Sequence, residues 1–574
     1  MIMFATFIQK KYAWPLLVFL ATLPAFFFLL KPGYYNMHDD MQMIRQLEME
    51  KCLHDGQIPC RWSPDLGYGY GYPLFNFYPP LPYFVGQIYR TLGFSFVNTV
   101  KMVALTQIVL SALFIYILAA NLFGKLGGFV SALFYTYAPY HALNIYVRGA
   151  MNEAWAAVFF PLIFYFAKKL IEQNQTKHLI ALSLSFTGLL LSHNPMALTF
   201  SPFLLAWCLY FLFQKKFSLK IILSLVLSAI LSLALSAFYT LPVLFETKYV
   251  QIETMFQNYY HYSAHFTSLY QLFISRFWGE GASIWGPNDG MSFQLGYLHW
   301  FLPLLIIIFY FIFRTKNKKT SQKLLLPSLL ALGGFFAAFM THQRSVIFWK
   351  ALPLIQKIQF PWRFLNHSVF LFSLSLGVLP LLLSFLKIKK LYQKAGLILI
   401  LILVFALNIN YFHPLISGPI TDQQKFEGKA WTNQITSGIY DYLPKTASTA
   451  AKGPAQDYID DISPADTQYS LNGAKKGTDW LFFNLDLQSS AKLTLPLLAF
   501  PSFEVKDNFK VINFEIEPEL GRLVLDLASG QHQIYVKLKN TPIRTLANSL
   551  SLLAWLSISA FGLKSLCKNP KSKK

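Results

Sequence analysis

Charge is what this sequence has least of. Only 13% of its 574 residues are Asp, Glu, Lys or Arg, while 54% are hydrophobic and 17% aromatic. Soluble domains carry about 25% charged residues, so a soluble protein is excluded. Acidic residues are scarcer still, 27 against 49 Lys and Arg, for a net charge of +22. That excess does not point to a nucleic-acid partner. The basic residues fall in short runs between apolar stretches, as in the cytoplasmic loops of membrane proteins, and not in a patch on a soluble domain. Cysteine is nearly absent too. Cys208 and Cys567 read as membrane-embedded and terminal thiols. Cys52 and Cys60 share a loop placed outside, where a disulfide is permitted, and two unpaired thiols fit as well.

What remains is apolar sequence long enough to cross a bilayer many times. A hydrocarbon core of about 30 Å needs about 20 apolar residues as helix. Such runs occur near 12–30, 97–122, 127–141, 154–167, 178–192, 196–213, 219–241, 296–313, 324–340, 364–386, 395–412 and 544–563. The expectation is a polytopic α-helical membrane protein of about twelve spans. The first span is too long for a cleaved signal peptide, and no small-residue cleavage site follows it, so it is read as retained.

Orientation follows from the basic residues. Lys10 and Lys11 put the N-terminus in the cytoplasm. Lys125, then Lys168, Lys169 and Lys177, then Lys215, Lys216 and Lys220 fall on the same side. So do Arg314, Lys316, Lys318, Lys319 and Lys323, then Lys387, Lys389, Lys390 and Lys394, and the tail Lys568, Lys571, Lys573 and Lys574. One topology satisfies every cluster, with both termini inside a cytoplasmic (inner) membrane. The outside segments 31–96, 242–295 and 341–363 are richer in Trp, Tyr, Pro and Gly, and the outside loops hold nearly all the acids of the membrane part.

This divides the chain into a transmembrane domain over 1–412, an outside β-rich domain over 413–542, and a last span with a basic tail over 543–574. The β domain shows period-two alternation in Arg522-Leu-Val-Leu-Asp526 and Gln533-Ile-Tyr-Val-Lys537, joined through Ala528-Ser-Gly-Gln531. That pattern reads as a hairpin. Segments 481–487 and 492–498 read as further strands of a small sandwich, and 445–475 as a loose loop.

Ionisable residues are almost missing from the spans and gather at the outer boundary. A coupled transporter would place acids or broken helices near the midplane, whereas an enzyme acting on a lipid phosphate needs its polar groups at the interface. Asn36-Met-His-Asp-Asp40 offers an acidic pair, Asp39 and Asp40, suited to a general base or a shared divalent cation such as Mg or Mn. Its competing reading is a cap for an amphipathic helix from Met41 to Lys51 lying on the membrane. The run Gly67-Tyr-Gly-Tyr-Gly-Tyr-Pro-Leu-Phe-Asn-Phe-Tyr-Pro-Pro80 mimics a nucleotide fingerprint, but no strand precedes it and no βαβ unit surrounds it. Its rings, Tyr70, Tyr72 and Tyr78, suit sugar stacking or an interfacial aromatic belt equally. In Arg148-Gly-Ala-Met-Asn-Glu153, Arg148 can hold a phosphate and Glu153 can join the acidic pair, including as a metal ligand with Asp40. A structural Arg–Glu pair competes with that reading. His193, in Leu191-Ser-His-Asn-Pro195, defaults to a hydrogen-bonded structural residue. His261 and His265 lack the Glu of a zinc motif. Arg344, and Arg363 beside Trp362 in Ile358-Gln-Phe-Pro-Trp-Arg-Phe364, suit a lipid phosphate or plain headgroup anchorage.

Together these pieces resemble the GT-C-fold membrane glycosyltransferases, and within them the multi-pass bacterial proteins catalogued as 6-pyruvoyl-tetrahydropterin synthase-related membrane proteins. No pterin-synthase domain or His-rich zinc site is visible in the sequence. The resemblance is carried by Asp39 and Asp40, Tyr78-Pro-Pro-Leu-Pro-Tyr83 leading to Leu92-Gly93, and Asn121-Leu-Phe-Gly124. It continues through Arg148-Gly-Ala with Glu153, Gln359-Phe-Pro-Trp-Arg-Phe364 and Leu495-Pro-Leu-Leu-Ala-Phe-Pro501. Ser502-Phe503 departs from the Gly-Trp expected next. The resemblance implies transfer of a sugar from a polyprenyl-phosphate donor to an envelope glycan, lipid or protein on the outer face, with inversion in a single displacement. It assigns base or metal chemistry to Asp39, Asp40 and Glu153, donor phosphate to Arg148, Arg344 and Arg363, and sugar or lipid contacts to His38, Tyr70, Tyr72, Tyr78, His193 and Trp362. A flippase for lipid-linked saccharides and a non-catalytic envelope-assembly protein are the competing functions.

Overall fold

A computed structural model describes residues 12–567 apart from Lys216, Pro287 and Lys387. Lys10, Lys11, Lys216, Lys387, Lys568, Lys571, Lys573 and Lys574, used above for orientation, lie outside the described residues, as does the Cys567 side chain. The apolar runs are helical over most of their length. Among the described residues, seven helices are long and apolar enough to cross a membrane, or nine if each of two bent pairs is one span. The expected spans 97–122 and 127–141 fall largely on one long element, Phe96–Thr136, broken at Gly124 (φ 80°, ψ 170°). Only glycine adopts that backbone freely. The span expected at 219–241 bends by 80° between Leu219–Leu235 and Ala237–Tyr249. There Ser236 Oγ bonds back to the Ser232 carbonyl, a habit that bends helices.

The chain forms two compact units, each woven from distant segments. The first comprises 12–40, 97–229 and 256–420 and holds most of the apolar helices. A two-residue ladder, β1 (Tyr34–Tyr35) on β2 (Ser417–Gly418), closes it near the chain's first turn. Helices approach closely where side chains are small. A Cβ on Gly127 would lie 2.4 Å from the Gly377 carbonyl oxygen, the small-residue contact common between membrane helices.

The second unit comprises 41–96, 230–255 and 421–567 among the described residues. Its helix Gln42–His54 starts at Met41, which provides no side-chain cap. The expected flat amphipathic helix is instead packed on its polar side too, with Gln42, Arg45, Gln46 and Glu48 buried. Cys52 and Cys60 form a disulfide. In the Gly/Tyr run, Gly67, Gly69 and Gly71 all have positive φ. At Gly71 a Cβ would meet Trp62 Nε1 at 2.3 Å, so the glycines serve a tight turn against that ring.

The β region has nine strands after β2: β3 (Asp461–Ser463), β4 (Tyr469–Lys476), β5 (Trp480–Leu487), β6 (Ala491–Leu498), β7 (Phe503–Asp507), β8 (Lys510–Ile512), β9 (Glu515–Ile516), β10 (Arg522–Leu527) and β11 (Gly530–Leu538). They form two sheets, ordered β3-β6-β10-β9 and β4-β5-β11-β7-β8. The two strands around Ala528-Ser-Gly-Gln531 are therefore not a hairpin. β10 pairs with β6 and β9, while β11 pairs with β5 and β7. Alternation marks which side chains are buried, Leu523, Leu525 and Leu527 on one strand and Ile534, Val536 and Leu538 on the other. It does not choose the neighbour, and successive strands of a sandwich often change sheet. The stretch 445–475, expected to be a loose loop, contains β3 and most of β4.

Candidate functional site

The first unit gathers two arginines around one buried carboxylate. The chain leaves the long helix at Thr136, makes a turn over Pro139–Ala142, and passes through a π-helical turn at Leu143–Val147 before Arg148. Such turns recur at functional sites. Gly149 (φ 64°) then reverses the chain, and a Cβ there would sit 2.2 Å from Met37 Sδ. Glu153 follows in the first turn of Met151–Gln173, where the helix dipole favours a carboxylate.

Glu153 is saturated. Its Oε1 accepts from Tyr140 Oη (2.8 Å) and Asn366 Nδ2 (2.7 Å). Its Oε2 accepts from Arg148 Nη2 (3.0 Å) and pairs with Arg363 Nε (3.4 Å). Arg148 Nη1 also donates to Asn144 Oδ1 (2.5 Å), and its guanidinium lies 4.2 Å from the centre of the Trp362 ring. Trp362 stacks on Phe360 at 4.8 Å. Arg363 Nη1 donates to the Ile358 carbonyl (2.7 Å) and to Gln359 Oε1 (3.3 Å). Gln359 holds a positive φ of 66°, which folds the Gln359-Phe-Pro-Trp-Arg-Phe364 run back over the arginine. Two guanidiniums thus share one carboxylate.

The acidic pair is tied to this corner by backbone. His38 N donates to the Val147 carbonyl (2.8 Å) and Asp39 N to the Arg148 carbonyl (2.9 Å). Asp39 and Asp40 are half-buried and His38 is exposed, and the Asp39 charge acts on Arg148. His193 ends Thr176–Ser192 and accepts from Met196 N at 3.2 Å through Nδ1. The charges of Arg363, Glu153 and Arg148 reach it.

The other expected residues go elsewhere. Arg344 is exposed and lines an apolar crevice with a different set of neighbours. Tyr70, Tyr72 and Tyr78 belong to the second unit. There Tyr70 donates to Asp460 Oδ2 (2.9 Å), and burial, then that carboxylate, push its pKa up to about 12. Tyr78 Oη accepts from Arg45 (2.9 Å), whose guanidinium lies over the Tyr78 ring. Tyr72 is 1% exposed and offers no open face for a sugar, and Trp362 is occupied by Arg148. Glu153 is not available as a base, because three hydrogen bonds and a second ion pair hold its two oxygens. Nor do Asp40 and Glu153 fit a divalent cation, since two guanidiniums already neutralise Glu153. Among the described residues no group of three or more His, Cys, Asp or Glu side chains is placed to hold a metal. Tyr140, Asn144 and Asn366 were not anticipated. Uncharged polar side chains within apolar sequence are the only signal that could have flagged them.

An uncharacterized protein of Lactococcus lactis subsp. cremoris (strain MG1363) is 25% identical over 291 residues, 49% of this chain and 45% of that protein. The chain thus matches less than half the length of that relative. Among solved structures, the Archaeoglobus fulgidus oligosaccharyltransferase tethered to an acceptor peptide gives 14% identity and a TM-score of 0.44, over 78% of this chain and 61% of that one. ArnT from Cupriavidus metallidurans bound to undecaprenyl phosphate gives 13% and 0.37, over 68% and 64%. The family described as 6-pyruvoyl-tetrahydropterin synthase related domain, membrane protein, matches residues 75–365, just over half of the sequence. The chain belongs to this family of membrane proteins.

Proposed function

We propose that this chain is a glycosyltransferase that takes a sugar from a polyprenyl-phosphate donor and passes it to an envelope acceptor at the outer face of the cytoplasmic membrane. The observation that carries the proposal is the docking of the Asp39–Asp40 turn, through two backbone hydrogen bonds, onto the corner that presents Arg148. A potential base and a phosphate-binding cation are thereby held on one support. Asp39 or Asp40 takes the proton of the acceptor hydroxyl, whose oxygen forms the bond to the anomeric carbon. The bond from that carbon to the phosphate oxygen breaks, and the lipid phosphate leaves with the electron pair. Arg148 and Arg363 stabilise the charge that grows on the phosphate. Glu153 orients both guanidiniums and moves no proton. No metal enters this scheme.

The test is mass spectrometry of lipids that co-purify with the wild type and with Arg363→Gln, followed by transfer assays on Asp39→Asn and Asp40→Asn. A polyprenyl phosphate or its sugar ester, depleted in Arg363→Gln, together with loss of transfer in one Asp variant, is the expected result. Bulk phospholipid alone in both samples, or full transfer in both Asp variants, overturns it. Carrier lipid bound without any transfer would move the assignment to a flippase.

A further inference from the structure

The turn that carries Arg344 differs in charge from the other segments placed outside. Between Thr341 and Ile358 it holds Arg344, Lys350 and Lys357 and no Asp or Glu. Beside it lies a crevice of about 180 Å³. Leu272 and Phe273 of the helix Leu269–Phe273 form one wall, and Phe335, Ala338 and Phe339 of Lys318–Met340 form the other. His342 and Arg344, from the turn that follows, are the polar residues in its lining.

The crevice is preformed. Ser268 and Gln271 make a capping box that fixes the first wall. Thr267 N donates to the Thr341 carbonyl (2.8 Å), and the two threonine hydroxyls bond at 2.8 Å, which clamps that wall to the end of the second. His342 Nδ1 accepts from Arg344 N at 3.2 Å and sets the turn. The Arg344 side chain stays exposed, as do Leu269, Phe339 and the nearby Phe336 and Phe348. A rigid apolar slot with a guanidinium in its lining matches an amphiphile that has an apolar chain and an anionic phosphate head.

We infer that this crevice binds an anionic phospholipid, one acyl chain between the two walls and its phosphate against Arg344. The site uses none of the residues around Glu153 and does not depend on the proposed transferase activity. It gives Arg344 a partner different from the donor phosphate.

The full chain in detergent, delipidated and then supplied with equal amounts of dioleoyl-phosphatidylglycerol and dioleoyl-phosphatidylcholine, can be examined by native mass spectrometry. About fivefold more of the anionic lipid should stay bound, the discrimination of one basic residue for a net negative headgroup over one whose choline ammonium offsets the phosphate charge. Arg344→Gln, an exposed substitution, should bring the ratio near one without changing the unfolding temperature. Ala338→Phe should fill the slot and reduce both lipids. Arg363→Gln should leave the ratio unchanged, so failure of the donor site and failure of this site read differently. Equal retention of both lipids by the wild type, or an unchanged preference in Arg344→Gln, overturns the inference. Full competition by glycerol 3-phosphate alone overturns the role of the crevice. Displacement of the anionic lipid by a polyprenyl phosphate would return Arg344 to the donor.

Discussion

At the scale of single residues, Glu153 holds the most. A buried carboxylate shared by two guanidiniums is costly to remove, because its partners stay behind without a counter-charge. Replacing one partner of a buried pair costs about 3–5 kcal/mol, so Glu153→Ala should lower stability by about that much in detergent unfolding. Tyr140→Phe removes one bond to a charged group and should cost about 1.5–3 kcal/mol. Equal losses in the two variants would mean that the carboxylate charge carries no weight of its own. Glu48 tests charge in the other unit. Burial, then the neighbouring Asp65 carboxylate, raise its pKa well above 4.5. The folded state therefore holds this proton longer than the unfolded state, and stability falls as pH rises from about 4.5 towards the folded value. Glu48→Gln should flatten that slope, and an unchanged pH profile of the unfolding temperature would remove Glu48 as its source. The sequence displays Arg148, Glu153 and Arg363 because charges at the ends of apolar runs stand out. It hides Tyr140, Asn144 and Asn366, whose importance depends on which helices are neighbours, and periodicity carries no such information.

At the scale of elements, the apolar runs mark the long helices that bear on the site, but neither the short turns Leu143–Val147 and Pro361–Phe364 nor where the long helices break. Gly124 breaks the longest element in a conformation only glycine tolerates, while a Cβ there would meet nothing within 4 Å. Gly124→Ala should thus cost about 1–3 kcal/mol through backbone strain alone. Gly127→Ala should cost more, since its Cβ would strike the Gly377 carbonyl oxygen. A milder effect of Gly127→Ala in thermal unfolding would show that these helices can separate freely. In the sandwich, β5, β10 and β11 were legible because each alternates a buried face with a more open one, and β6 as a short apolar run buried on both faces. β4 was not, since it is mostly exposed along both faces and leaves no alternation to read. The Ser502 departure also has a structural meaning. Ser502 sits at φ 77°, where the glycine expected from the family would be unstrained, and Phe503 meets the Trp62 ring edge-on at 5.2 Å. Ser502→Gly should raise stability by about 0.5–1 kcal/mol, the left-handed penalty less the added freedom of the unfolded chain.

At the scale of the whole molecule, the sequence order conceals how each unit is assembled. The second unit needs 41–96, 230–255 and the segment from 421 onward, and one buried network draws on all three. Glu246 accepts from Asn76 Nδ2 (2.8 Å), Thr541 Oγ1 (2.5 Å) and Arg544 Nε (2.8 Å). Arg61 joins through Asn76 (2.8 Å) and Asn548 (2.8 Å). The side chains of Arg544 and Glu246 are 1% and 2% exposed, so neither charge can turn to solvent when the other is lost. Arg544→Met should therefore cost about 3–5 kcal/mol. Glu246→Leu should cost at least as much, since it leaves both arginines without a carboxylate. The double variant Glu246→Leu, Arg544→Met removes the pair together, and a buried pair replaced by apolar groups of similar volume is often nearly neutral. Its loss should fall well short of the sum of the single losses, a coupling of about 2–3 kcal/mol in a double-mutant cycle. Strict additivity in detergent unfolding would mean that the three segments are held by apolar packing, with the ionic network following it.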